Sequence, residues 1–148
     1  MYKKVLVPLD GSELSECSLE HVKAVAKGCQ AKEAVLLQVI EPDPQVIGIG
    51  VSSERWYRDA QAKVQAEVKK YISQVADKLK KEGVAAKGVV IQGRAADEIL
   101  DYATKNQMDL IIMSTHGRSG VSRWVFGSVA EKVIHHSTLP ILIVRAPS

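Results

Sequence analysis

The chain has 148 residues, of which 46% are hydrophobic and 25% charged; that size suits one domain with a real core, expected to span residues 1–148. A formal net charge of +3 and an aromatic content of 5% leave no basic stripe interleaved with stacking rings, so a nucleic-acid partner is not expected. No apolar run approaches the ~20 residues of a membrane helix and no secretory leader is evident, so a cytoplasmic location without membrane insertion is expected.

Residues 3–9 are a short apolar run behind Lys3 and Lys4. The run does not alternate, which predicts a strand buried on both faces. Pro8 has no N–H, so the strand should end there. Asp10, Gly11 and Ser12 supply turn chemistry, and Ser12 ahead of Glu13 starts a helix. Leu14, Ser18, Leu19, Val22, Val25 and Ala26 follow helical spacing up to Gly28, the stop signal. Cys17 and Cys29 fall in or at the end of this one predicted helix. They lie ~18 Å apart at helical rise, so they are expected as unpaired, buried thiols.

Residues 33–40 form a second buried strand, stopped by Pro42 and Pro44. Residues 46–53, with Gly48 and Gly50, suggest a flexible apolar loop. A long helix follows over 54–82, with Val64, Val68, Tyr71, Ile72, Val75 and Leu79 as its inward stripe. Residues 85–92 are a third strand. Gly93 and Arg94 turn into a helix carrying Ala96, Ile99, Leu100 and Ala103. Residues 109–114 are a fourth strand, and after a loop the last helix turns Ala130, Val133 and Ile134 inward. Residues 139–144 are the fifth strand.

Strands alternating with helices argue for a parallel sheet covered on both faces. In such sheets ligands sit beyond the carboxyl ends of the strands, where the strand order reverses. Five strands commonly run 3-2-1-4-5 or 2-1-3-4-5. The first order places the crevice between strands one and four, which end in Pro8-Leu-Asp-Gly-Ser12 and Met113-Ser-Thr-His-Gly117. Both ends are rich in small and polar residues, which favours that order. The expected fold class is therefore α/β: a single-domain, open, five-stranded parallel sheet of order 3-2-1-4-5 with helices on both faces.

The segment from Met113 to Ser128 then follows a strand and precedes a helix. Its glycines allow close backbone approach, and a helix N-terminus adds partial positive charge, so it suits an anion. Charge assigns roles to the two loops. Asp10, with Glu13 and Glu16 nearby, repels phosphate. Asp10 suits ribose hydroxyls, an adenine amino group or a cation; its bland alternative is a turn residue at a helix start. His116, Arg118 and Arg123 place phosphates on the second loop. The chain has no G-x-x-x-x-G-K-[ST], no G-x-G-x-x-G after strand one, and no Ser/Thr-rich first loop for a flavin phosphate.

His135 and His136 have no further ligands at suitable spacing, so no metal site is expected. A catalytic His would need a nucleophile and an orienting acid; Ser114, Ser119 and Asp10 offer these on paper only, and no catalytic residue is assigned. Trp124 and Phe126 are either a plug under the loop or part of a partner surface, with packing favoured.

Six segments carry a family resemblance: Val5-Leu-Val-Pro-Leu-Asp-Gly-Ser12, Val39-Ile-Glu-Pro42, Gly93-Arg-Ala-Ala-Asp-Glu-Ile99, Asp109-Leu-Ile-Ile-Met-Ser-Thr-His-Gly117, Gly127-Ser-Val-Ala-Glu-Lys-Val133 and Pro140-Ile-Leu-Ile-Val144. Through them the chain resembles the universal stress protein domain over essentially its whole length. The nucleotide-binding branch of that family carries Gly-x-x-Gly, nine residues, then Gly-Ser or Gly-Thr. Here Ser114 replaces the first glycine, while Gly117, the nine-residue spacing and Gly127-Ser128 are intact.

The resemblance implies a Rossmann-like domain of the adenine nucleotide alpha hydrolase-like type that binds ATP or AMP, with Mg2+ as a companion. It implies that Asp10 accepts from the ribose or base, with Pro8 and Leu9 beside it. Val39 would line the adenine pocket and Met113 the sugar and base, with Ser114 close to the ligand. Gly117, Arg118, Gly127, Ser128 and Val129 would surround the phosphates, Ser128 capping the last helix. The last strand, Pro140 to Val144, would pair across a two-fold axis in a homodimer. The function implied is a nucleotide-binding regulatory module of the stress response with a protein partner. The alternatives are a nucleotide-free interaction protein and an enzyme of weak ATP hydrolysis or autophosphorylation.

Overall fold

The structure, a computed structural model, describes residues 1–42, 54–115 and 127–146. Five parallel strands form one sheet in the order β3-β2-β1-β4-β5. They are β1 (Lys4–Leu9), β2 (Glu33–Ile40), β3 (Ala86–Gln92), β4 (Leu110–Ser114) and β5 (Ile141–Val144). The helices are α1 (Glu13–Glu16), α2 (Leu19–Gly28), α3 (Glu54–Lys81), α4 (Ala95–Lys105) and α5 (Ser128–His136). The expected strand order is therefore the observed one. The anticipated loop at 46–53 lies outside the described residues.

The non-alternating strands are buried on both faces. Val5, Val7 and Leu9 of β1, with Leu36 of β2, pack beneath α2 and α3. Leu6 of β1, with Val35 and Leu37 of β2, packs beneath α4 and α5. α2 contributes Leu19 and Val22, and α3 contributes Ile72, Val75 and Leu79. Ile99 of α4 and Val133 of α5 fill the other side.

Four expectations need correction. The first predicted helix is two helices, because its serines compete for backbone groups. Ser15 Oγ donates to the Ser12 carbonyl at 2.8 Å and Ser18 Oγ to the Ser15 carbonyl at 2.9 Å. Such local bonds offer the chain an alternative to the helical ladder, and a new helix begins at Leu19. Cys17 thus sits between the helices and Cys29 caps the second. Both are free but half-buried rather than buried.

Val64 is 45% exposed rather than inward. The 28 residues of α3 span ~42 Å, whereas a strand of 8 residues such as β2 covers ~26 Å. The amino-terminal part of α3 therefore outruns the sheet, and its buried residues are confined to Ile72 and beyond. Ile134 is 37% exposed, because it falls one position past Val133 at the margin of the buried stripe.

Pairing between the central strands is unequal. β1 and β2 stay in register from Lys4↔Glu33 to Leu9↔Gln38. β1 and β4 are paired only at Val5↔Leu110 and Leu6↔Ile111. Pro8 has no N–H to contribute to a ladder, although β1 continues one residue past it. Beyond Leu6 the two strands part, and the gap opens at the point where the strand order reverses.

Candidate functional site

A cavity of about 270 Å³ occupies this gap, close to the lower end of the ~300–1,000 Å³ usual for ligand sites. Pro8, Leu9 and Asp10 line it from the end of β1, and Leu37 and Val39 from β2. Met113, Ser114 and Thr115 line it from β4, and Gly127, Ser128 and Val129 from the start of α5. Nine of the residues singled out from sequence thus surround one space. The other three, His116, Gly117 and Arg118, lie outside the described residues, as do Trp124 and Phe126.

The two ends of the cavity differ in chemistry. At the β1 end, Asp10 closes a turn: its Oδ1 accepts from the backbone N–H of Ser12 at 2.9 Å and from the Ser12 hydroxyl. Ser12 in turn caps α1, accepting from the Ser15 N–H at 3.2 Å. Asp10 is therefore a helix-start turn residue and also a carboxylate in the cavity wall.

At the other end, the cap of α5 is Gly127, not Ser128. Gly127 has extended backbone angles, and its carbonyl accepts from the Glu131 N–H at 2.9 Å, the first helical bond. Ser128 is the first helical residue and is exposed. A glycine cap has no side chain to satisfy the first helical amides, which a Ser or Asp there would do. The N-terminus of α4 also reaches this space through Ala95. There, however, the Ala95 N–H already donates to the Glu41 carboxylate at 2.9 Å. At the start of α5, by contrast, the Gly127 cap makes no side-chain hydrogen bond to the helix. Between the ends the wall is apolar, with Leu37, Val39, Ile99 and Met113.

Thr115 had no assigned role, although it lies within the strand-four segment. It is buried and organises this end of the site. Its carbonyl accepts from the Gly127 N–H at 2.8 Å, and its N–H donates to the Val144 carbonyl at 2.9 Å. Ser15, Leu37, Ala95, Ile99 and Ala130 also line the cavity without having been singled out for it. Ser15 carried a usable signal, being a small polar residue on a helix face turned toward the sheet.

One face over, Tyr71 of α3 is half-buried, and its hydroxyl makes no hydrogen bond. Burial pushes its pKa up to about 12, and the carboxylates of Glu16 and Asp10 add to the shift, against a smaller opposing effect of the Ser15 hydroxyl. A larger cavity, about 470 Å³, lies between the β2 end and the overhanging start of α3, lined by Ile40, Pro42, Trp56, Tyr57 and Val64 among others. It holds none of the nucleotide-binding residues expected from sequence and sits away from the strand reversal, so the smaller cavity is the candidate site.

Fold and cavity together define a parallel α/β domain with a switch-point site bounded by a carboxylate and an open helix start. Residues 1–145 match the Universal stress protein family, and the chain belongs to it. The universal stress protein MJ0577 of Methanocaldococcus jannaschii is 33% identical over 98% of this chain and 96% of its own length. The solved structure of MJ0577 superposes with a TM-score of 0.87 at 34% identity, covering 100% of this chain and 99% of the other. A universal stress protein solved in complex with cAMP shares the fold, with a TM-score of 0.71, 20% identity and coverage of 99% and 98%. So does an Arabidopsis thaliana family member with AMP bound, with a TM-score of 0.69, 16% identity and coverage of 99% and 93%.

Proposed function

We propose that this protein binds an adenine nucleotide, ATP or AMP, in the switch-point cavity and acts as a homodimeric regulatory module of the stress response. The observation that carries the reading is the polarity of the cavity. A carboxylate at one end suits hydrogen-bond donors such as ribose hydroxyls or an exocyclic amine. A glycine-capped helix start at the other suits phosphate. The apolar wall between them suits the flat face of a base. Relatives of this fold are described with cAMP or AMP bound, which supports the class of ligand.

Among the described residues no group of three or more His, Cys, Asp or Glu converges to hold a metal. A Mg2+ ion would therefore come with the phosphates of the nucleotide, which is its usual mode of binding.

Isothermal titration with ATP, ADP and AMP tests the reading. Heat of binding is expected with at least one of them. Its absence from all three at millimolar ligand overturns the proposal. Mass spectrometry of the small molecules released on unfolding gives a second view, with an adenine nucleotide expected in the supernatant.

A further inference from the structure

We propose that Glu41 is a specificity-determining residue of the switch-point cavity: its carboxylate, reaching from the end of β2, takes the first amide of α4 and so reserves the start of α5 for phosphate. The inference deepens the nucleotide reading and rests on it for the placing of the ligand.

Two helices begin on this cavity. Ala95 lines it from the first residue of α4, and Ser128 and Val129 line it from the first turn of α5. A helix start favours an anion whichever helix supplies it, so a phosphate entering the cavity meets two seats. The chain treats them differently. Arg94, the cap of α4, makes no side-chain hydrogen bond to the helix. The bond comes from β2 instead, where Glu41 Oε1 accepts from the Ala95 N–H at 2.9 Å. A carboxylate oxygen thus stands where a phosphate oxygen would bind. The Gly93 N–H donates to the Ile40 carbonyl at 3.0 Å, which ties the residue before Glu41 to the turn into α4. Glu41 therefore approaches Ala95 from an anchored backbone.

Charge acts in the same direction. The first turn of α4 carries Asp97 and Glu98, and Asp97 is paired with Lys132 of α5 at 2.8 Å. The first turn of α5 carries one acid, Glu131, and its glycine cap places no side chain on the helix. Occupancy and charge together leave α5 as the better seat for phosphate.

The test maps phosphate onto backbone amides by NMR. In the wild-type protein inorganic phosphate should shift the amides of Ser128 and Val129 and leave that of Ala95 in place. Glu41→Ala releases the Ala95 N–H, whose amide should then respond, with phosphate affinity at that position raised about tenfold or more. Glu41→Gln keeps a side-chain oxygen for the Ala95 N–H and should behave as wild type. The amides that separate AMP from adenosine should follow the same rule: Ser128 and Val129 in the wild-type protein, joined by Ala95 in Glu41→Ala. A wild-type Ala95 amide that responds to phosphate as strongly as Ser128 overturns the proposal, whatever the variants do. So does a Glu41→Ala protein in which Ala95 stays silent. Equal opening in Glu41→Ala and Glu41→Gln also overturns it, because the effect would then belong to charge alone. If the wild-type protein binds neither AMP nor adenosine, the nucleotide reading falls, and inorganic phosphate alone decides the role of Glu41.

Discussion

Asp10 carries two duties that two substitutions can separate. Its Oδ1 closes the turn onto Ser12, and its carboxylate lines the cavity. Asp10→Asn keeps a side-chain carbonyl for the turn and removes the charge. Asp10→Ala removes both. The Ala variant should lose stability by about 0.5–1.5 kcal/mol, the net worth of a hydrogen bond, with the Asn variant much less affected. Both should weaken nucleotide binding by about tenfold or more, since hydrogen bonds to a charged group are worth ~1.5–3 kcal/mol. Chemical denaturation and calorimetric titration of the pair measure the two effects. Wild-type affinity in Asp10→Asn would remove the carboxylate from the binding scheme. At this scale the sequence offered both readings of Asp10, because turn residues and ligand residues draw on the same short polar side chains. Thr115 was not legible as a tie, since its bonds to Gly127 and Val144 run through backbone atoms that any residue possesses.

At the scale of elements, the fit of α3 on the sheet depends on a close approach. Ile72, fully buried in α3, lies directly over Gly88 of β3, and a methyl group at Gly88 would drive into the Ile72 side chain. Gly88→Ala should therefore destabilise the fold by about 1–3 kcal/mol through overpacking, despite the higher intrinsic cost of ordering a glycine. Pairing it with Ile72→Leu, which lacks the Cγ2 methyl that the new Cβ would meet, should recover part of the loss, read as a coupling in a double-mutant cycle of denaturation midpoints. Additive losses would mean that the helix shifts instead of the side chain. The core half of α3 was legible because a 3.6-residue stripe marks whichever face packs. The exposure of Val64 was not, because periodicity says which side of a helix is apolar but not how far the surface beneath it extends. The break between α1 and α2 escaped for a related reason: spacing continues through Ser18, while the serine hydroxyls redirect the backbone bonds.

At the scale of the molecule, the two edges of the sheet differ. The β3 edge carries Lys87, a charge that discourages strand addition, and the residue is paired with Glu33 at 2.9 Å. The β5 edge reads Ile141-Leu-Ile-Val144 without a charge, and Ile141, Leu142 and Ile143 are all partly exposed. The carbonyls of Pro140 and Val144 point toward β4, where they accept from Ile111 and Thr115. In a strand alternate residues face opposite neighbours, so the amides of Ile141 and Ile143 face outward. A second copy adding its β5 would satisfy them and cover the apolar edge. Ile143→Pro removes one outward N–H and leaves the bonds to β4 in place, as proline is tolerated at an edge. Light scattering after size exclusion should give a dimer for the wild-type protein and a monomer for Ile143→Pro, with circular dichroism showing the sheet retained. A dimer that survives the substitution would place the interface elsewhere. Thr115 joins β5 to the Gly127 cap, so edge pairing and ligand binding should be coupled. By linkage, the factor by which dimerisation strengthens nucleotide binding must equal the factor by which nucleotide strengthens the dimer, and the monomeric variant should bind more weakly by that factor.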